Sequence, residues 1–119
     1  MSILGFLFLS GLAAILAAGI VFWLLVTVEI VKRFINKVKG KVVVGSGKGL
    51  ERDLRELVND PNSNVLSEGD FDRIINGNFV AGLDSEGNVD SIEFADDLDD
   101  PIRKLTNRAK NGVLIVETN

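Results

Sequence analysis

Residues 78–95, NFVAGLDSEGNVDSIEFA, carry the clearest structural pattern in the C-terminal part of the chain. Apolar and polar residues alternate on both sides of Glu86-Gly87, a pattern typical of two antiparallel strands joined by a tight turn. A turn at this dipeptide pairs Phe79 with Phe94, Ala81 with Ile92 and Leu83 with Asp90. The stretch therefore predicts a β-hairpin whose apolar face holds Phe79, Ala81, Leu83, Ile92 and Phe94.

A strand and a helix are predicted upstream of the hairpin. Residues 41–44 are a short β-branched run that indicates an edge or initiating strand, and the glycine-rich residues 45–49 indicate a flexible turn. Apolar side chains then recur at helical spacing over residues 50–58, which predicts an amphipathic helix. The glycine-rich turn is not a phosphate-binding P-loop, because Val42 stands where the motif needs its first glycine and Gly49 where it needs a hydroxyl.

Two further helices and a last strand complete this part of the chain. Residues 66–71 combine a capping box with a hydrophobic staple, so a helix begins there. Residues 99–101 offer acidic caps and a proline for the first turn of another helix. The apolar run 113–116 suits a central strand. The buried side of the helix that starts near Pro101 is predicted to be Ile102, Leu105 and Ala109.

The N-terminal residues 1–28 carry no ionisable side chain. As a helix, the uncharged run from Ile3 to Val28 would extend roughly 39 Å, enough to cross a hydrocarbon core of roughly 30 Å. The competing interpretation is a cleaved signal peptide, which needs a basic start and a shorter apolar core. The run therefore predicts a single transmembrane helix, which continues to Lys39 with one apolar side made by Val31, Phe34, Ile35 and Val38.

The predicted fold class is α+β, with a single N-terminal transmembrane helix followed by a small domain. Residues 1–39 form the transmembrane helix with its basic juxtamembrane extension. Residues 40–119 form a small acidic α+β domain with a mainly antiparallel sheet of about four strands and three helices, which cover one face of the sheet. The strand order is left open by the sequence.

Basic residues next to the span predict its orientation. All four stand directly after it, and Lys and Arg beside a span are held on the cytoplasmic side. We expect the N-terminus outside the membrane and the C-terminal domain in the cytoplasm or the interior of a particle. The four are expected to contact lipid headgroups; they are Lys32, Arg33, Lys37 and Lys39.

Small residues concentrate in one half of the predicted span. Small side chains at helical spacing let a second helix approach closely, so they indicate a packing face for other transmembrane helices or for a homo-oligomer. The plain alternative is the ordinary composition of a membrane span. The residues concerned are Ser10, Gly11, Ala14, Ala17 and Ala18.

Eight acids and no base lie between Asp84 and Asp100. So many negative charges disfavour nucleic-acid binding by this domain. The four acids at the end of the run indicate a docking patch for a basic protein partner. The plain alternative is a solvated surface with a capped helix start. These four acids are Asp96, Asp97, Asp99 and Asp100.

Residues 82–93 suggest an alternative function as a divalent-cation-responsive module. Asp84, Glu86, Asp90 and Glu93 fall at the spacings of a degenerate EF-hand-like loop. Gly82 stands in place of the first ligand, and the alternation of the hairpin explains the same residues. Calcium is the cofactor of this alternative, whereas the main hypothesis needs none.

The chain has no Cys, His or Tyr. This composition excludes disulfides, thiolate and imidazole metal sites, and catalysis that depends on Cys or His. The main hypothesis is therefore a non-enzymatic single-pass membrane subunit or adaptor, a structural component of a membrane complex or of a membrane-containing virus particle. It would pack with other membrane helices and dock a protein partner through its acidic domain.

Overall fold

The computed structural model describes residues 12–60 and 65–118. They form a small α+β domain with a mixed five-strand sheet, five α-helices and two short 3-10 helices. The N-terminal half comprises α1 (Leu12–Ala17), β1 (Phe22–Val26), α2 (Val28–Lys37), β2 (Lys41–Ser46), a 3-10 helix (Gly47–Leu50) and α3 (Glu51–Asn59). The C-terminal half comprises α4 (Glu68–Ile75), β3 (Asn78–Leu83), β4 (Val89–Leu98), α5 (Asp100–Arg108), a 3-10 helix (Lys110–Gly112) and β5 (Leu114–Glu117).

The sheet has the strand order β1-β4-β3-β2-β5. Four of the strands pair antiparallel, and β1 joins β4 in parallel. The mainly antiparallel sheet is therefore confirmed, with β1 as a strand that was not predicted. The predicted central strand near the C-terminus is wrong, because β5 lies at an edge. β2, predicted as an edge or initiating strand, lies inside the sheet between β3 and β5.

The hairpin of residues 78–95 is confirmed, with one change of register. Phe79 pairs with Phe94 and Ala81 with Ile92, but Leu83 pairs with Val89 instead of Asp90. An irregularity between Gly82 and Leu83 shifts the register there. A shift of one residue turns the next side chain to the other face, so Val89 is buried in the same cluster as Phe79.

The sheet is covered by helices on both faces, so the prediction that helices cover one face is wrong. α1, α3 and α4 pack against a cluster that includes Phe79 and Phe94. α2 and α5 pack against a second cluster that includes Val42 and Val80. Residues 42–44 of β2 are continuously apolar because Val42 and Val44 face one cluster and Val43 faces the other.

The predicted transmembrane helix is not supported in the part of the chain that the structure describes. There, no helix is long and apolar enough to cross a membrane. α1 ends at Ala17, Gly19 has a φ of +136°, and residues 22–26 form β1 instead of a helix. A short apolar run is compatible with either a helix or a buried strand. Here the run forms a strand because its backbone pairs with β4. Residues 1–11 lie outside the described residues.

α2 is a separate helix that begins where the predicted span would end. The Thr27 hydroxyl caps it by accepting a hydrogen bond from the Ile30 amide at 3.3 Å. Its predicted apolar side is confirmed, because Val31, Phe34 and Val38 are buried. That side packs on the sheet, and the helix ends at Lys37 rather than Lys39.

Helix ends elsewhere follow the predicted caps. The Ser67 hydroxyl accepts a hydrogen bond from the Asp70 amide at 3.1 Å, and Leu66 and Phe71 are both buried. α5 begins after Asp99, with Pro101 in its first turn. Its buried side includes Ile102 and Thr106. The prediction that Leu105 is buried is wrong, because 47% of it is exposed.

The glycine-rich residues 45–49 are ordered parts of the fold rather than a flexible turn. Gly45 and Ser46 end β2, and Gly47 begins the 3-10 helix. The Gly47 amide donates a hydrogen bond to the Gly77 carbonyl at 2.9 Å. Gly47 is buried against the carboxyl end of α4, where a side chain would collide with the Ile74 carbonyl. The glycine is therefore required by close packing.

Candidate functional site

β1 is an edge strand whose side chains are largely exposed and apolar. Leu24 is 77% exposed, and Val21, Trp23 and Leu25 are 41%, 37% and 40% exposed. Proteins usually protect the edge strands of a sheet with charged side chains, Pro or a bulge. Residues 21–26 contain no charged side chain and no Pro, and they follow directly on the uncharged N-terminal residues. A contiguous exposed apolar strand of this kind is typical of an interaction site.

Trp23 is held in place at the border between β1 and α2. Its indole Nε1 donates a hydrogen bond to Glu93 Oε1 at 2.7 Å. Arg33 of α2 forms an ion pair with the same carboxylate, and its guanidinium lies 5.6 Å from the centroid of the indole ring. The polar edge of the indole is thus satisfied within the protein, and the exposed part of the ring is apolar.

Three of the four predicted headgroup-binding bases share one surface. Lys32, Arg33 and Lys37 lie on the outer face of α2, whose opposite face packs on the sheet. Lys39 lies beyond the end of α2, in a groove of about 440 Å³ at the turn of the β3–β4 hairpin. The structure therefore groups three of these side chains and separates the fourth.

The predicted docking acids are engaged in contacts within the domain. Asp96 accepts two hydrogen bonds from Arg73, at 2.8 and 2.9 Å. Asp97 and Asp100 pair with Arg103 at 2.6 and 3.2 Å. Asp99 caps α5. Their charge is thus partly balanced by two arginines, which weakens the electrostatic attraction of these acids for a basic partner.

These contacts change how the carboxyls titrate. Hydrogen bonding to Arg73 lowers the pKa of Asp96. Hydrogen bonding to Arg103, and then to the Leu98 amide, lowers the pKa of Asp97. A carboxyl whose pKa is lower in the folded state stabilises the fold above its unfolded pKa of about 3.9, and this stabilisation is lost as the pH falls through the folded value.

We expect the double variant Asp96→Asn/Asp97→Asn to be less stable than the unchanged chain at pH 7. The difference should shrink in acid, once the pH lies below the lowered pKa of both carboxyls and the wild-type side chains are protonated as well. Urea unfolding of the full chain in detergent at both pH values measures this. Asp90→Asn, at an exposed acid on the same strand, is the control. A difference of equal size at both pH values would contradict the role of the ion pairs.

Two of the four acids of the predicted divalent-cation loop are engaged in other contacts. Asp84 Oδ1 accepts hydrogen bonds from the amides of Glu86 and Asn88, both at 2.9 Å, and so closes the hairpin turn. Glu93 binds Trp23 and Arg33. Within residues 12–60 and 65–118, no three His, Cys, Asp or Glu side chains are grouped so that they could hold a metal ion. The groove beside Asp84 and Glu86 is also lined by Glu117 and by two lysines, Lys39 and Lys41, whose charges oppose the binding of a cation.

Two of the five predicted helix-packing residues lie outside the part of the chain that the structure describes. Ser10 and Gly11 lie outside the described residues, and Ala14 lies in α1. Ala17 and Ala18 are exposed at the end of α1 and in the turn after it. The continuous helical stripe that the prediction requires ends there, because α1 stops at Ala17.

The two helical layers differ in net charge. On one side of the sheet, α3 and α4 carry six acids against three bases, and their exposed acids are Glu56, Glu68 and Asp72. Two of the three bases are paired, Arg55 with Glu51 and Arg73 with Asp96. On α3, burial and then the neighbouring Glu56 raise the pKa of Asp53. α2 and α5, on the other side, carry mostly bases. This charge separation is created by the fold, since α2 and α5 are far apart in the sequence.

Sequence reasoning missed the two arginines that bind the acid run. Arg103 stands three residues after Asp100, a helical spacing that could have indicated the pair. Arg73 is 23 residues from Asp96, and no local pattern links them. Only the packing of α4 beside β4 brings these two side chains together.

Comparisons of the chain with protein-family models, with curated proteins and with solved structures found no match in any of the three.

Proposed function

We propose that the protein is a non-enzymatic subunit or adaptor of a membrane complex. The uncharged N-terminal residues attach it to the membrane, and the domain docks a protein partner on the cytoplasmic or interior side. The observation that carries this proposal is the exposed apolar strand β1, where Leu24 is 77% exposed. Leaving such a strand in water has a cost of about 25 cal/mol per Å² of apolar surface, which contact with lipid or a membrane helix removes.

The partner surface that we propose lies on α3 and α4. The acids at the end of β4 are paired with Arg73 and Arg103, so they offer less charge to a partner than sequence reasoning expected. Glu56, Glu68 and Asp72 are exposed on the opposite side of the sheet from α2. The same layer exposes Arg52 and Arg55, and Arg55 is paired with Glu51. Anionic lipid would repel these acids and so favour an orientation in which they face away from the membrane. A partner with a basic surface fits this face.

Photo-crosslinking in native membranes tests the attachment. A photoreactive amino acid replaces Leu24 on β1 or, as the matched control, Ile115 on β5, the opposite edge strand, which is 55% exposed. We expect the full chain to sediment with membranes, and position 24 to crosslink to lipid or to a membrane protein much more than position 115. Recovery of the chain in the soluble fraction, or equal crosslinking from both edges, would reject the proposal.

Charge reversal tests the partner surface separately. The variant Glu56→Lys/Glu68→Lys/Asp72→Lys should lower recovery of the co-purified partner about tenfold or more, because several contact charges change sign. Glu86→Lys/Asp90→Lys, at the exposed end of the hairpin, is the control and should retain the partner. Membrane sedimentation should be the same for both variants. Equal loss of the partner in both would contradict the assignment to α3 and α4.

A further inference from the structure

α2 and α5 form one basic surface on the side of the sheet opposite to α3 and α4. Both helices pack on the same apolar cluster, α2 through Phe34 and α5 through Ile102. Their other faces are therefore directed to solvent on the same side of the domain. More than 60 residues separate the two helices in sequence, so the charge balance of local segments does not reveal this surface.

The exposed side chains of the two helices are mostly bases. On α2, Arg33 is paired with Glu93 of β4, whereas Lys32 and Lys37 form no ion pair with a described residue. On α5, Arg103 is paired with Asp97 and Asp100, whereas Lys104 and Arg108 form no such pair. The bases that are not paired with an acid attract an anion to this side. We call this surface the basic face; its exposed bases are Lys32, Arg33, Lys37, Lys104, Arg108 and, in the 3-10 helix that follows α5, Lys110.

Apolar side chains lie among and beside these bases. Leu105 is 47% exposed, next to Lys104 and one turn from Arg108. Trp23 is 37% exposed, with its ring beside Arg33. Exposed Leu and Trp together with Lys and Arg are typical of protein surfaces that lie at the bilayer interface. A nucleic-acid surface would use the bases but would gain nothing from exposing Leu24 or Leu105.

We infer that the basic face binds the anionic headgroups of a lipid bilayer, with Trp23 and Leu105 at the level of the interface. This inference rests on the proposed attachment to a membrane. It adds α5 to the surface that contacts the membrane, and it specifies how the domain is oriented relative to the bilayer. The acids of α3 and α4 then point away from the bilayer, which leaves them accessible to a partner. The chemistry recognised is a negatively charged lipid surface rather than one particular headgroup.

The absence of native cysteine allows a label to be placed on either layer. Asn107→Cys on α5 and Asn59→Cys on α3 are both exposed positions and carry an environment-sensitive fluorophore. The full chain is mixed with vesicles of phosphatidylcholine, alone or with 30% phosphatidylserine. We expect the label at position 107 to shift to shorter wavelength on the phosphatidylserine vesicles, and the label at position 59 to be unchanged.

Charge reversal on α5 identifies the surface. Lys104→Glu/Arg108→Glu should lower the affinity for phosphatidylserine vesicles, measured by lipid titration of the position-107 label, about 30-fold or more, since each base near an anionic surface contributes about fivefold to the binding constant. Lys48→Glu/Arg52→Glu makes the same change of charge on the side of α3 and should leave the response intact. Equal responses from both labels, equal responses on both vesicle types, or no effect of the α5 reversal would overturn the inference. A response of position 107 to duplex DNA without lipid would overturn it as well.

Flotation with phosphatidylcholine vesicles separates the two proposals. If the chain fails to float on these vesicles but position 107 responds to phosphatidylserine, the N-terminal attachment is wrong and the basic face stands. If the chain floats and position 107 does not respond, the attachment stands and the basic face is wrong.

Discussion

Gly47→Ala should destabilise the protein by about 3 kcal/mol or more, and the full chain should lose most of its cooperative unfolding transition. A Cβ atom at Gly47 would lie 1.7 Å from the Ile74 carbonyl oxygen and 2.6 Å from its carbon. Both are backbone atoms at the end of α4, so no side-chain rotation relieves the collision. The 3-10 helix would have to move away from α4, and the hydrogen bond from the Gly47 amide to the Gly77 carbonyl would break.

Two neighbouring glycines serve as controls for this variant. A Cβ at Gly49 meets no atom within 4 Å, so Gly49→Ala should change the unfolding free energy by less than about 0.5 kcal/mol. A Cβ at Gly45 would lie 3.2 Å from the Phe79 ring, which gives an intermediate effect. Urea unfolding followed by circular dichroism in detergent measures the series. Equal stability of the Gly47 and Gly49 variants would show that the loop is the flexible turn predicted from its glycines.

Phe34→Ala should lower the unfolding free energy by about 3–5 kcal/mol, the usual cost of removing a buried phenylalanine ring. Phe34 is 1% exposed and belongs to the cluster that joins α2 and α5 to the sheet. Its ring lies with Val38 over Gly82 of β3, where a Cβ would meet Val38 first and would lie 3.4 Å from the ring. The ring and Val38 together fill the space over this glycine, and alanine at position 34 would leave a cavity.

This variant separates two arrangements of α2. If α2 packs on the sheet, the loss of the Phe34 ring destabilises the whole domain. If α2 instead continued a helix out of the membrane, the same change would have little effect on the unfolding of residues 41–118. Leu105→Ala is the control, because Leu105 is 47% exposed and its removal should cost less than about 1 kcal/mol. Similar unfolding midpoints for the two variants would argue against the packing of α2.

Local patterns correctly predicted those elements whose signals lie within a few residues of one another. The alternation on both sides of Glu86-Gly87 predicted the hairpin, and residues 66–71 predicted the start of α4. The exact register of the hairpin was harder to predict. Leu83 pairs with Val89 because the ladder is irregular between Gly82 and Leu83, and side-chain alternation alone does not indicate this irregularity. Leu105 fits a helical stripe, yet Thr106 occupies the buried position on α5.

The sequence predicted which bases and acids belong to the charged surfaces, but it did not predict how these side chains are arranged in space. Lys32, Arg33 and Lys37 were correctly placed on one helix. Their association with α5, and the pairing of the acid run with Arg73 and Arg103, depend on contacts between distant segments. The strand β1 was missed because its five apolar residues fit a helix as well as a strand.

Local sequence patterns were sufficient to predict the hairpin, the three C-terminal helices, two of them with their side-chain caps, and the uncharged character of residues 1–28. These features depend on side-chain alternation, capping hydrogen bonds and composition, all of which act over a few residues. By contrast, the addition of β1 to the sheet, the edge position of β5 and the helices on both faces follow from tertiary contacts. Those outcomes depend on which strands pair across long sequence separations and on which apolar faces pack together. Patterns within a few residues do not contain this information.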